Sequence, residues 1–478
     1  MSQEKFQRAG QFVLEKCMLY TSGSAVIDLK GGGNVISISF FEDMSTPFVQ
    51  GTLLFSNTGA ASQIGPIIGQ ETLDLVIRTP SMEKEEDILT YTGNKRLHIT
   101  KFNTRRHLGQ GTEVLSLEFI SAEWVRHTQT RVSRTLTGSI SSMVDHMLTS
   151  VGCQKVKYIE PSAENKRYVA PNLRPFDVVK HLMPQAISAK GGKKPEPTYM
   201  FWENKQGYHF RSLTSCVNGD TDYSSHTRPI MTYKTKDKLT IGKGGDLRPI
   251  DELKTILDFQ ITHSDFIENN FLGNLSSDLI SHNIYEKSYG VSNFNYFSDF
   301  DRSTKMWKEG YPLYSKTPDI NGNKIGDIPT ATFLQPNCER NGKDAGFSTD
   351  TGNYIYSSYS PESFIQSRRS AMNMLFDGVS IQMQVHGNTF VNAGDMVEVG
   401  IPYKGIKDAE SDKKLDKFVN GTMLVHQITH EFIIAELKHT MTMRCVSNSL
   451  EEELVESVET TQGPLVKEQP EVYDDFYA

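Results

Sequence analysis

The chain carries two similar stretches, Gly69-Gln-Glu-Thr-Leu-Asp-Leu-Val-Ile-Arg-Thr-Pro80 and Gly394-Asp-Met-Val-Glu-Val-Gly-Ile-Pro402. Each begins with a glycine, continues as a short run rich in β-branched and apolar residues, and ends at a proline, which is the pattern of a strand between turns. In both places two further strand patterns follow. They are Leu97–Phe102 and a run ending at Ser121 after the first stretch, and Val425–His430 and a run ending at Ser447 after the second.

The spacings of the two series agree. Gly69 to Ile99 is 30 residues and Gly394 to Ile428 is 34, while Ile99 to Ser121 is 22 and Ile428 to Ser447 is 19. Similarity at a fixed spacing is the sequence signature of an internal repeat. We therefore predict a mainly β fold with α+β insertions, built from two similar antiparallel β-barrel domains plus α+β domains.

Changes in periodicity divide the chain between these series. Ile140 to Val151 has apolar residues at helical spacing, with Ser139 as a predicted N-cap and Gly152 as the stop, and a second helix follows Pro175. The predicted organisation is a first β-barrel domain at 1–125, an α+β domain at 126–250, the start of the second β-barrel domain at 251–290, an aromatic-rich insertion with a helix at 291–374, the rest of the second barrel at 375–450 and an acidic tail at 451–478.

The stretch 291–360 reads as a long irregular insertion. It holds 12 aromatic residues in 70, more than the chain average of 10% predicts. Aromatic side chains are enriched at interfaces, so a partner-contacting insert including Trp307 is one interpretation, and aromatic packing onto its own domain is the other.

The charge of the chain is concentrated in its last residues. The 478 residues carry 50 Lys and Arg against 58 Asp and Glu, a formal charge of −8, and residues 451–478 alone hold nine acidic residues against Lys467. The body is therefore formally neutral, which does not fit a clamp built on basic stripes. The tail is either a solubilising segment or a tether whose Tyr473, Phe476 and Tyr477 contact a partner.

The sequence contains no recognised motif of a catalytic or metal-binding site. His430-Glu431 starts a zincin pattern, but Ile434 stands at the position of the second histidine, and Lys324 stands where a calcium-binding EF-hand needs glycine. His426 and His430 would share a face of a strand without a third ligand. We therefore expect no catalytic residues, no cofactor and no metal. No apolar stretch approaches the length of a membrane span, and no secretory signal is expected.

The order of these segments resembles a known family. Phe41-Glu-Asp-Met-Ser-Thr-Pro-Phe-Val-Gln-Gly-Thr-Leu-Leu-Phe55 followed by the Gly69 stretch is similar to the first tube barrel of the central baseplate hub proteins of contractile-tailed, T-even-type phages. Phe201-Trp-Glu203, Asp251-Glu-Leu-Lys254 and the Gly394 stretch resemble later segments of that hub. The resemblance covers most of 31–450, and the insertion at 291–360 and the tail depart from it.

The resemblance implies a structural virion protein in the tail baseplate, made in the host cytoplasm. It implies a homotrimer that joins the three-fold tail spike protein to the six-fold tail tube or tube-initiator proteins. Tape-measure and wedge proteins are further partners under this interpretation, and DNA passes through the lumen without specific binding. A symmetry adaptor of this kind needs no enzymatic activity. Two alternatives stay open: a hub of a phage-like injection or secretion particle, and a β-rich polysaccharide-acting enzyme.

Overall fold

The computed structural model describes most of the chain between residues 8 and 450. The described residues are 8–21, 25–57, 67–80, 84, 87–109, 112–163, 165–189, 197–218, 231–235, 249–263, 265–283, 287–300, 310–314, 325–337, 345–347, 354–356, 362–401 and 419–450. Trp307, Tyr473, Phe476, Tyr477, Lys324 and the tail lie outside them.

The first barrel is formed by the N-terminal strands. Alternating side chains of these strands point inward and form a core of aliphatic and aromatic residues that includes Phe40, Phe55 and Phe119. The strands are β1 (Val13–Tyr20), β2 (Val26–Asp28), β3 (Val35–Asp43), β4 (Gln50–Asn57), β5 (Thr72–Arg78), β6 (Leu89–Tyr91), β7 (Leu97–Gly109) and β8 (Thr112–Ser121).

An outer α+β domain follows. The predicted helix forms at Ile140–Ser150, where Ser139 Oγ accepts the Ser142 N–H and Gly152 adopts a φ of 64° at the end. The elements are α1 (Ala122–Gln129), β9 (Thr135–Ser139), α2 (Ile140–Ser150), β10 (Val156–Ile159), β11 (Asn165–Val169), α3 (Pro175–Leu182), β12 (Tyr199–Asn204), β13 (Gly207–Ser212) and α4 (Leu213–Asn218).

The second barrel is interrupted by an insertion. Its first elements are β14 (Met231–Thr235), α5 (Pro249–Glu252) and β15 (Thr255–Thr262). The insertion contains α6 (Phe266–Phe271), β16 (Ser276–Asn283), β17 (Ser288–Asn295), α7 (Tyr296–Asp299), β18 (Tyr311–Pro312), β19 (Ala331–Asn337), β20 (Ala345–Phe347), β21 (Tyr354–Tyr356) and α8 (Glu362–Phe376). The barrel resumes with β22 (Val379–His386), β23 (Met396–Gly400), β24 (Gly421–Ile433), β25 (Lys438–Ser447) and β26 (Ser449–Leu450).

The prediction of an irregular stretch at 291–360 was wrong in its described parts. Strands β17, β16 and β19 form a three-stranded sheet in that order, and α8 packs against it. This sheet could not be predicted from local sequence patterns, because β16 and β19 pair in parallel across a long connection and no short turn signal lies between them.

The predicted repeat is present in the strand topology. β5 pairs with β7 and β7 with β8, just as β23 pairs with β24 and β24 with β25. Each series opens on a glycine of positive φ, 87° at Gly69 and 95° at Gly394. The mainly β fold with two barrels and α+β insertions is therefore confirmed.

The backbone corrects the alignment of the two halves by three residues. The Ile99 N–H donates to the Glu71 carbonyl at 2.9 Å, and the Val425 N–H donates to the Asp395 carbonyl at the same distance. A bulge follows both residues, at Thr100 and His426. Ile99 therefore corresponds to Val425, not to Ile428, because β7 and β24 bulge at the same place.

The two barrels are not separate units, because one sheet of 14 strands runs through both. Strands β24-β23-β14-β15-β22-β25 close on themselves, since β25 also pairs with β24. The first barrel is an open series, β1-β5-β7-β8-β4-β3, whose β3 pairs with β24. One detail departs from the predicted antiparallel barrels: β14 runs parallel to both neighbours, as expected for a strand that enters after a long connection.

The hairpin β24–β25 fills the gap in the first barrel. Residues Gln427–Ile433 pair with β3, while the His439 N–H donates to the Gly10 carbonyl at 2.7 Å, just before β1. Phe432 is fully buried in the first core, and its ring centroid lies 5.1 Å from that of Phe12. The second barrel thus completes the wall of the first.

Candidate functional site

The candidate site is the seam where both barrels and the outer domain meet. Here β24 pairs with β3, and the β12–β13 hairpin of the outer domain packs against β3. The seam is buried, so its chemistry concerns how three parts of one chain are held together.

Glu42, at the end of β3, links all three parts. Its carboxylate is fully buried and accepts the Lys205 N–H at 2.7 Å from the outer hairpin and the Ala393 N–H at 3.0 Å from the second barrel. Burial raises the pKa of Glu42 to about 7, although the two backbone N–H groups favour the charged form.

Trp202 and Asn204 extend this link. Trp202 Nε1 donates to the Ala393 carbonyl at 3.1 Å, and Asn204 Nδ2 donates to the same oxygen at 3.2 Å. A Cβ at Gly394 would lie 2.7 Å from Cζ2 of Trp202. The second barrel therefore needs a glycine at this place to let the indole approach.

A buried cation joins two carboxylates on the outer side of the seam. Lys155 Nζ donates to Glu123 at 2.8 Å and also to Glu203, and all three side chains are at most 4% exposed. Burial would lower the pKa of Lys155, but the two carboxylates together raise it. Burial raises the pKa of Glu203, partly offset by Lys155. Because the Val49 N–H also donates to Glu203 at 3.3 Å, the triad ties the outer domain to the loop before β4.

The predicted histidines lie in different surroundings. His426 occupies the bulge of β24, where its Nε2 lies 2.9 Å from Ser45 Oγ and its ring packs 4.5 Å from Phe376. His430 Nδ1 lies 3.0 Å from His439 Nε2 in the aromatic cluster of the hairpin. Burial lowers the pKa of both residues, to about 4 for His426 and about 3 for His430.

Two open clefts lie at the surface, the larger between the first barrel and the outer domain and the smaller on the outer domain. One of about 470 Å³ is lined by residues that include Arg126, Gln129 and Gln154, and one of about 220 Å³ by residues that include Arg134 and His146. Neither lining includes a carboxylate, whereas a glycosidase needs two. Within the described ranges no group of three His, Cys, Asp or Glu residues could hold a metal, and no helix there is long and apolar enough to cross a membrane.

Sequence reasoning missed the seam residues. Acidic residues are numerous, and nothing in the sequence selects Glu42, Glu123 or Glu203, because each of their partners lies tens to hundreds of residues away. The aromatic residues predicted to bind partners, Trp307, Tyr473, Phe476 and Tyr477, lie outside the described residues and stay predictions.

The architecture is similar to that of solved tail proteins. The tail protein from Neisseria meningitidis superimposes with a TM-score of 0.50 at 10% identity, covering 92% of this chain and 97% of the other. The chain shares the fold of this tail protein. The 43 kDa tail protein of prophage MuSo2 from Shewanella oneidensis gives a TM-score of 0.49 at 8% identity, with 91% and 99% covered.

A third solved structure gives a lower score. An Escherichia coli component of the type VI secretion system gives a TM-score of 0.37 at 9% identity, covering 87% of this chain and 74% of that one. No protein-family model and no curated protein matches the sequence. The comparisons thus concern the fold, which spans 97% of the Neisseria meningitidis tail protein.

Proposed function

We propose that this chain is the subunit of a homotrimeric baseplate hub that joins a three-fold tail spike to a six-fold tail tube and forms part of the DNA conduit. One observation carries the proposal: two barrels related by an internal repeat are fused through one continuous sheet. Three such chains present six similar barrels, which lets a three-fold object meet a six-fold one.

The seam supports a structural role. A conduit that transmits force during tail contraction needs its two barrels to move together, and Glu42, Trp202 and the Lys155 triad bind both barrels and the outer domain through buried contacts. The fold shared with the tail protein from Neisseria meningitidis supports the same role.

Deleting the gene in its phage tests the proposal. We expect particles to stop before tube assembly, so that filled heads without tails accumulate, and cryo-electron microscopy of complemented particles should place the chain between spike and tube. Complete tails in the deletion strain would contradict the proposal. Contractile particles without heads or DNA would instead identify a hub of an injection or secretion particle.

A further inference from the structure

Because the two barrels are related by the repeat, the pairing of β24 with β3 indicates which two other strands could form a contact of the same kind. β24 pairs with β3 beyond its bulge, over Gln427–Ile433. In the first barrel the corresponding strand beyond the same bulge is β7. The strand that corresponds to β3 is β15, because β3 pairs through β4 with β8 as β15 pairs through β22 with β25.

Both corresponding edges are open. β7 pairs with β5 only at Leu97 and His98, and β15 pairs with β14 only at Thr255 and Ile256. Beyond these residues, the structure as described pairs each strand on one side alone. Arg105, Arg106 and His107 are exposed on β7, and Asp258 and Gln260 are exposed on β15. Long open edges favour pairing with another strand.

We propose that β7 of one copy pairs antiparallel with β15 of a second copy, repeating between chains the contact that β24 makes with β3 within the chain. This inference rests on the proposed hub, whose ring needs a contact between copies. Each chain offers one β7 edge and one β15 edge, so the contact is head-to-tail and can close a ring.

The template also gives the register. Glu431 pairs with Thr440 on one side and with Ser39 on the other. Because β7 has a second bulge at Asn103, which β24 lacks, Arg106 stands at the place of Glu431: it pairs with Val114, five residues before Phe119, as Glu431 pairs with Thr440, five residues before Cys445. Gln260, which pairs with Gln382, stands at the place of Ser39. Arg106 should therefore lie opposite Gln260 of the second copy.

Charge supports this register. Asp258 is two residues from Gln260, on the same face, and so becomes the diagonal neighbour of Arg106. Diagonal neighbours across two strands lie about 7–8 Å apart, within reach of a long side chain. Neither Arg106 nor Asp258 forms an ion pair among the residues that the structure describes. The pairing would bring these opposite charges together.

A charge exchange in the full-length chain tests the contact. Arg106→Glu and Asp258→Arg should each weaken self-association at least about tenfold, measured by sedimentation velocity over a concentration series. The double variant should recover to within about threefold of the wild type. Lys180→Glu, an equal charge change at an exposed residue of α3, should associate as the wild type does. Single variants that associate normally, or a double variant no better than the singles, would overturn the inference.

A cysteine pair tests the register independently of affinity. Arg106→Cys with Gln260→Cys should form disulfide-linked oligomers under mild oxidation, seen on non-reducing gels, because directly opposed residues have Cβ atoms about 4.5–5.5 Å apart. Arg106→Cys with Lys180→Cys should not. Absence of linked oligomers in the first variant would contradict the register.

These outcomes are separable from those of the hub proposal. Loss of tails in the deletion strain together with unaltered association of the charge variants would leave the hub in place and refute the β7–β15 contact. A wild-type chain that stays monomeric at a concentration about 10-fold above the one at which tails assemble would also refute the contact between copies.

Discussion

Gly394 shows how one residue fixes the distance between two parts of the molecule. Its φ of 95° belongs to the left-handed region, and the Trp202 ring fills the space where a side chain would start. Gly69 holds the corresponding place in the first barrel with a φ of 87°, but the nearest atom to its Cβ position is 3.9 Å away. Substitution of the two glycines therefore distinguishes two costs: backbone strain, which is present at both positions, and crowding by Trp202, which is present only at Gly394.

We expect Gly394→Ala to lower the free energy of unfolding by about 2–4 kcal/mol, since strain and the clash with Trp202 add. Gly69→Ala should cost about 1–2 kcal/mol from strain alone. Urea unfolding monitored by tryptophan fluorescence measures both. Equal losses would mean that Trp202 moves aside without cost.

Lys155 and Lys157 form a second matched pair. Lys155→Met leaves Glu123 and Glu203 buried without a cation, so we expect a loss of about 3–5 kcal/mol at pH 7.5. Because burial raises the pKa of Glu203, the loss should shrink at pH 5 as Glu203 takes up a proton. Lys157 makes a partly exposed pair with Asp145 at 2.7 Å, and Lys157→Met should change stability by less than about 1 kcal/mol. Denaturant titrations at the two pH values test this, and a Lys155→Met loss that does not depend on pH would contradict it.

Glu42 gives the seam a pH dependence of defined sign. Its pKa in the folded chain, about 7, lies above its ordinary value of 4.5, so the folded state holds the proton more tightly. The contribution of Glu42 is fully present below about pH 4.5 and is lost as pH rises to about 7. The stability of the wild type minus that of Glu42→Gln should therefore fall across this window, measured by thermal unfolding from pH 4 to 8. A difference that rises with pH would contradict the assignment.

At the scale of elements, local patterns were predictable and long-range pairings were not. Ser139, Gly152 and Pro175 mark helix ends through neighbouring residues, and Gly69 and Gly394 mark the repeat. The pairing of Ile38 with Phe432 joins strands nearly 400 residues apart, and nothing near either residue encodes it. The Glu42 and Lys155 contacts escaped prediction for the same reason.

Phe432 tests whether the hairpin completes the first barrel. Phe432→Ala removes a side chain of β24 from the first core, and we expect a loss of about 3–5 kcal/mol with faster amide exchange in β1 and β3. Met383→Ala, in β22 of the second core, should speed exchange in β15 and β25 more than in β1. Hydrogen exchange measured by mass spectrometry compares the two variants. Unchanged protection of β1 in Phe432→Ala would contradict the conclusion that β24 completes the first barrel.

At the scale of the whole molecule, the net formal charge of −8 lies in the tail, residues 451–478. The described residues end with β26, where Leu450 pairs with Tyr311. We expect a chain ending at Leu450 to unfold within about 2 °C of the full chain and to fail in assembly with its partner proteins. Tyr473→Ala, Phe476→Ala and Tyr477→Ala together should fail equally while keeping every acidic residue. Normal particle assembly by the triple variant, scored by electron microscopy, would leave the tail a solubilising role.

Because the β24–β25 hairpin completes the first barrel, that barrel cannot finish folding until the hairpin has been synthesised. Ribosomes add about 5–20 residues per second, so β3 waits roughly 20–80 s after emerging until β24 can join it. During that interval the N-terminal barrel has an open edge beside β3 and an incomplete core. The nascent chain would therefore depend on chaperones for most of its translation, and a stalled or truncated product could not mature into a competent subunit.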